Sequence, residues 1–188
     1  MWAIVKNKQL IEISNGNKSI TVGDVVHPKD IFKHWTKSQL KDIGVYEFIS
    51  GSTPDNRFET PTTTSYKIDD SKGTVTETIN KKDKDLDNLK KTYTAQIQKQ
   101  ASSLLAPTDW MVVRKAEDSS KSIPSAVTTY RASVRTEADK IVQAISDCDT
   151  LDKLKALFVT EYNEDGSVKT KATMDTLPDD EDIKGYKR

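Results

Sequence analysis

The chain has 188 residues, 35% hydrophobic and 31% charged, with a mean hydropathy of -0.67, so its core is modest for its length. Twenty-nine basic and 29 acidic residues cancel, which argues against a dedicated nucleic-acid binder needing a broad positive face. No apolar run approaches the ~20 residues needed to cross a bilayer, and the single cysteine, Cys148, leaves no partner for an intramolecular disulfide.

The opening MWAIVKNKQLIEIS lacks a charged leader followed by a sustained apolar core, so it is not expected to act as a secretion signal. Trp2, Ile4 and Val5, then Leu10, Ile11 and Ile13, flank a polar turn and predict a small hairpin. Ile20 and Val22 with Val25 and Val26 predict a second pair of short strands beside the turn residues Asn15-Gly16-Asn17 and Gly23-Asp24. A short helix follows over 37–41. Thr36 is placed to cap it, Gly44 to end it, and Trp35, Leu40, Ile43 and Val45 to face inward. Residues 1–50 thus read as a small α+β docking unit.

From 49 to 64 the composition shifts to Ser, Thr, Pro, Gly and Asp, which predicts a linker or long loop, set at 51–64. Threonine-rich strands are expected at 62–68 and 73–79, with Tyr66 and Ile68 on one face of the first and Val75 and Ile79 on one face of the second. Glu77 falls between the latter two, so the cover over that face must be partial. A long charged helix is read from about residue 81, where Lys81, Lys82, Lys84, Lys90 and Lys91 interleave with Asp83, Asp85 and Asp87 as a solvated face. Its stripe of Leu86, Leu89, Tyr93, Ile97, Ala101 and Leu104 recurs at three and four residues and suits either a coiled-coil seam or packing on the chain's own next helix. Pro107 is expected to stop it.

A second periodic run, Val127, Tyr130, Val134, Ala138, Ile141 and Ile145, starts behind Pro124, and its simplest partner is the first helix, antiparallel, with Trp110 filling the open end. Thr150 caps a third helix carrying Leu151, Leu154, Leu157 and Phe158. After Tyr162 the pattern fades into a turn at 163–166, isolated apolar residues and an acidic run at 179–182, so 161–188 is expected to be an extended or mobile tail, or to order along a partner. The fold class expected is α+β: a small β-rich N-terminal unit, then at 65–160 a β-hairpin leading into a long helix and an antiparallel helical hairpin with a third short helix.

Few groups suggest catalysis. His27 and His34 lie seven apart with no third ligand at a suitable spacing. Cys148 has no histidine near it in sequence. No phosphate-binding glycine loop or nucleophile elbow occurs. The expectation is a protein that is not an enzyme, with no catalytic, cofactor or metal residues.

One set of residues carries a resemblance. Leu104-Leu105, Thr108-Asp109-Trp110, Arg114, Pro124, Tyr130-Arg131 and Arg135 resemble the LLxxTDWxxxR…P…YRxxxR signature of the bacteriophage tail assembly chaperone family, found also at the C-terminal end of phage tail-fibre assembly proteins. The opening strands with Trp35, Leu40 and Ile43-Gly44-Val45-Tyr46 resemble, more weakly, the N-terminal module that often precedes it. The resemblance covers roughly residues 1–50 and 86–158. It implies a tail-associated phage protein, in the virion tail or in the host cytoplasm during assembly, whose partners are other tail or fibre proteins and further copies of itself. The first expectation is a structural component of the virion, in the tail or fibre attachment; the alternative is a tail or tail-fibre assembly chaperone absent from the mature particle. Asp109, Trp110, Arg114, Tyr130, Arg131 and Arg135 are the candidate interface residues. Thr108 and Asp109 are expected to cap a turn, Trp110 to seal the helix pair, and Arg114 and Arg131 to bridge to carbonyls or carboxylates.

Overall fold

The computed structural model describes residues 1–179 and 181–186 and is an α+β protein with a mixed five-stranded sheet and several helices. It divides into two compact units, 1–83 and 84–188.

In the first unit, β1 (Trp2–Lys6) and β2 (Gln9–Ser14) form a hairpin. Its turn residues Asn7 and Lys8 have φ of 52° and 59°, the left-handed pair that a two-residue turn between twisted strands demands. β3 (Ile20–Val22) and β4 (Val25–His27) pair separately. Two short helices follow, α1 (Ile31–His34) and α2 (Lys37–Asp42). Thr36 accepts from the Gln39 amide while the Gln39 side chain reaches back to the Thr36 amide, a reciprocal cap. Gly44 ends the helix at φ +82°, with its carbonyl accepting from the Val5 amide at 2.8 Å.

β5 (Val45–Ile49) then pairs antiparallel with β1 and parallel with β7 (Thr74–Asp83), and β7 pairs with β6 (Glu59–Asp69), giving the order β2-β1-β5-β7-β6. Strand alternation puts Ile4 and Val45 on the face covered by α1 and α2, where they bury with Ile20, Ile31 and Leu40. Ala3, Val5, Phe48 and Val75 form a second cluster on the opposite face, flanked by Leu10, Tyr46 and Ile68. Tyr66 stands opposite Glu77 and Ile68 opposite Val75, as the hairpin pattern required.

The expected linker is different. β6 begins at Glu59, so 59–64 is strand. The loop before it packs, with Phe58 1% exposed and the Gly51 amide donating to the Glu77 carboxylate at 3.1 Å. Polar composition concealed the one anchoring aromatic. β7 likewise runs to Asp83, so residues 81–83 are strand rather than helix. The β6–β7 hairpin therefore belongs to the first unit, and the division falls between 83 and 84 instead of at 51–64.

In the second unit α3 (Leu86–Leu105), capped by Asp85, buries Leu89, Tyr93, Ile97 and Ala101. Pro107 does not stop the helical path. α3 passes through a 3-10 turn at Ala106–Thr108 into α4 (Asp109–Glu117), because residues 105, 106 and 109 all keep right-handed helical angles. Proline removes one amide, and the tighter turn absorbs the loss. α5 (Ser125–Ser146) buries Val127, Tyr130, Arg131, Val134, Ala138, Ile141 and Ile145. It lies antiparallel to α3: Lys90 near the start of α3 bonds the end of α5, and Arg131 near the start of α5 bonds the end of α3. α6 (Leu151–Ala156) is capped by Thr150 and buries Leu154. Leu157 and Phe158 lie past its end, and the Phe158 ring meets Tyr93 edge-on at 4.8 Å.

The expected tail is also corrected. β8 (Glu161–Tyr162) and β9 (Val168–Thr170) make a small exposed hairpin around Gly166. Two 3-10 turns, Thr173–Asp175 and Glu181–Tyr186, then fold back on α5, with Ala172, Met174 and Ile183 buried. These contacts have no period in the sequence, which is why composition suggested disorder. The acidic run at 179–182 lies in part outside the described residues.

Candidate interaction site

The resemblance-bearing residues converge where α3 turns into α4. The last carbonyls of any helix lack intrahelical donors, and Pro107 takes away another. Arg131, the seventh residue of α5, supplies what is missing. Its Nη1 donates to the Leu105 carbonyl at 2.8 Å and to Thr108 Oγ1 at 2.8 Å, and its Nη2 donates to Asp109 Oδ1 at 2.7 Å. Thr108, fully buried, donates its own hydroxyl proton to the Leu105 carbonyl at 3.0 Å. Planarity and a fixed fork suit a guanidinium to this triple task. With Arg131 6% exposed, the charge is desolvated but held by three hydrogen bonds.

Thr108 and Asp109 do not cap a turn through their side chains. Thr108, at φ -114° and ψ 1°, stands at the junction and forms no side-chain cap bond, while the Asp109 amide bonds the Ala106 carbonyl. Their oxygens serve Arg131 instead. Arg114 does not repeat the Arg131 fork among the described residues; its guanidinium lies over the Trp110 ring, 4.8 Å from the centroid, one helical turn along α4, and, behind the hydrogen bond from the Ser120 side chain, its charge helps hold the Asp118 carboxyl low. Trp110 is half-buried, and Tyr130 is buried on α5 beside Arg131. Arg135 is exposed, and its Nη1 donates to the Arg131 carbonyl at 3.5 Å. Of the six candidates, Asp109 and Arg131 share one hydrogen bond, Trp110 and Arg114 share a stack, and Arg135 faces solvent.

Sequence reasoning missed Lys90. Read as part of a solvated charged face, it donates to the Ser146 carbonyl at 2.7 Å and the Cys148 carbonyl at 2.8 Å. Each helix of the pair thus has its negative C-terminal end closed by a cation from the other: Arg131 on α3, Lys90 on α5. The available signal was position, since Lys90 directly follows the seam residue Leu89 in the first turns of α3.

Cys148 is buried, its thiol donating to the Ala144 carbonyl, and burial pushes its pKa up while Lys90 pulls it down less strongly. His27 packs edge-on against Trp35 at 5.7 Å, while His34 is exposed. Among the described residues no three His, Cys, Asp or Glu side chains gather as a metal-ligand group, and no helix is long and apolar enough to cross a membrane. No family model, curated protein or solved structure matches the chain.

Proposed function

We propose that the chain is a structural component of a tailed bacteriophage virion, in the tail or the fibre attachment, acting through protein-protein contacts and carrying out no reaction. One observation supports the reading most directly. Leu105, Thr108, Asp109 and Arg131, drawn from two separated blocks of the phage-tail signature, close on one another as a single hydrogen-bonded pin. Letters that meet in space behave as a motif rather than as scattered coincidences. A second reading, an assembly chaperone absent from the finished particle, is favoured by the identity of the signature itself, which resembles that of tail assembly chaperones.

Quantitative mass spectrometry of particles purified from the encoding phage separates the two. Stoichiometric presence supports the structural role. Absence from particles, with the protein abundant in the infected cell and bound to tail or fibre subunits, supports the chaperone. Absence from both sinks the tail assignment.

A further inference from the structure

The α3–α5 hairpin has two unlike faces. The 3-10 turns at Thr173–Asp175 and Glu181–Tyr186 pack on one side of α5 and bury Met174 and Ile183. Another side of the pair carries a groove of two adjoining hollows, about 400 and 280 Å3, which share Gln98 and Val142. Ala95, Ser102 and Ala138 line it with short side chains, so a helix can approach closely. Lys91 stands at one end and Arg135 at the other, both exposed, with Asp139 on the α5 rim between them. From Lys91 to Leu105 the groove runs ~21 Å along α3 at 1.5 Å per residue.

The chain carries a fitting complement on α4. At ~100° per residue, Asp109, Val112, Val113, Ala116 and Glu117 fall on one arc of that helix. Met111 lies on the opposite side and is buried. All five residues of the arc are exposed, Val112 at 40% and Val113 at 54%. The arc is aliphatic in its middle and ends in carboxylates, Glu117 at one end and Asp109, whose Oδ1 already accepts from Arg131, at the other; the groove has Gln98, Val142 and Asp139 along its middle and Lys91 and Arg135 toward its ends. At nine residues, ~13 Å, α4 fits within the groove's length.

We infer that a second copy of this chain docks here, its α4 seated in the α3–α5 groove with the valines against Gln98, Ser102 and Val142 and the flanking carboxylates against Lys91 and Arg135. The inference does not depend on the virion assignment, because self-association is a property of the pure chain. Sedimentation velocity of the full-length protein over a concentration series tests it. The expected result is reversible association weakened about tenfold or more by Val113→Asp, since one aliphatic contact replaced by a charge is worth at least ~1.4 kcal/mol. Glu117→Lys alone, and Lys91→Glu with Arg135→Glu, each weaken association, and an equimolar mixture of those two proteins regains it through one pairing, the unaltered α4 of the groove variant seated in the unaltered groove of the Glu117→Lys variant. All four positions are exposed, and far-UV circular dichroism checks that each variant stays folded. A wild-type chain that remains monomeric to high concentration overturns the inference. So does association indifferent to Val113→Asp and to the groove reversal, or a mixture that fails to restore it.

Discussion

At the scale of single residues the molecule depends on a few cations used as helix closures. Arg131 has three acceptors within 2.8 Å, and removing it leaves the Leu105 carbonyl, the Thr108 hydroxyl and the Asp109 carboxylate without their shared donor. Arg131→Met is expected to lower stability by about 2–4 kcal/mol in urea denaturation. Arg131→Lys should recover only a minor part, because one ammonium lacks the planar fork. Asp109→Asn should cost less than ~1 kcal/mol, since that carboxylate is 57% exposed and water screens the pair. An Asp109 effect as large as that of Arg131 would show that the ion pair, and not the carbonyl closure, dominates. Cys148 gives a second residue-level expectation. Its thiol is 4% exposed and its pKa is raised by burial, so at neutral pH alkylation by iodoacetamide should proceed only through opening of the α5 terminus and accelerate steeply in sub-denaturing urea. Rapid labelling of the folded chain would contradict this. The sequence made Arg131 legible as a bridge but not Lys90, because nothing in a run of alternating charges distinguishes the one lysine that lies beside the seam.

At the scale of elements, what was readable was what local chemistry decides. The cap at Thr36, the stop at Gly44, the Tyr66–Ile68 and Val75–Ile79 faces and the two helical stripes each follow from neighbours within a few residues. What was unreadable needed partners far away in sequence. Pro107 looks like a terminator, yet with Arg131 closing the carbonyls around it the chain keeps turning. Residues 172–186 look like a tail, yet Ile183 is fully buried. Two substitutions test these readings. A Cβ at Gly44 would sit 2.6 Å from the Val5 carbonyl oxygen in a backbone with φ +82°, so Gly44→Ala should destabilise the first unit by about 2–3 kcal/mol. Ile183→Ala should cost the second unit about 2–4 kcal/mol through the cavity it leaves, measured by thermal melting. A cost near zero would mean that the C-terminal turns do not hold α5 in solution.

At the scale of the whole molecule, the division into 1–83 and 84–188 was hidden from the sequence for a physical reason. The parallel pairing of β5 with β7, Phe48 beside Val75, joins strands that a polar loop and a long hairpin separate. Hydrophobic periodicity marks each strand without saying which strand it will meet. Once β7 is in the N-terminal sheet, Phe48, Val75 and Ala3 cluster within the first unit, while the buried Ile97, Val134, Ile141 and Ile145 lie on α3 and α5 of the second. The fully buried Val75, Ile97, Val134, Ile141 and Ile145 side chains each contribute ~1.5–3 kcal/mol within their own unit, so each unit has the means to unfold as its own cooperative block. Native-state hydrogen exchange resolves this amide by amide. Gly44→Ala should raise exchange in β1, β5 and β7 and leave α3 and α5 unchanged; Ile183→Ala should do the reverse. Equal acceleration of both groups by either substitution would show one cooperative block, and the two separate cores would then be an incomplete account of what holds this chain together.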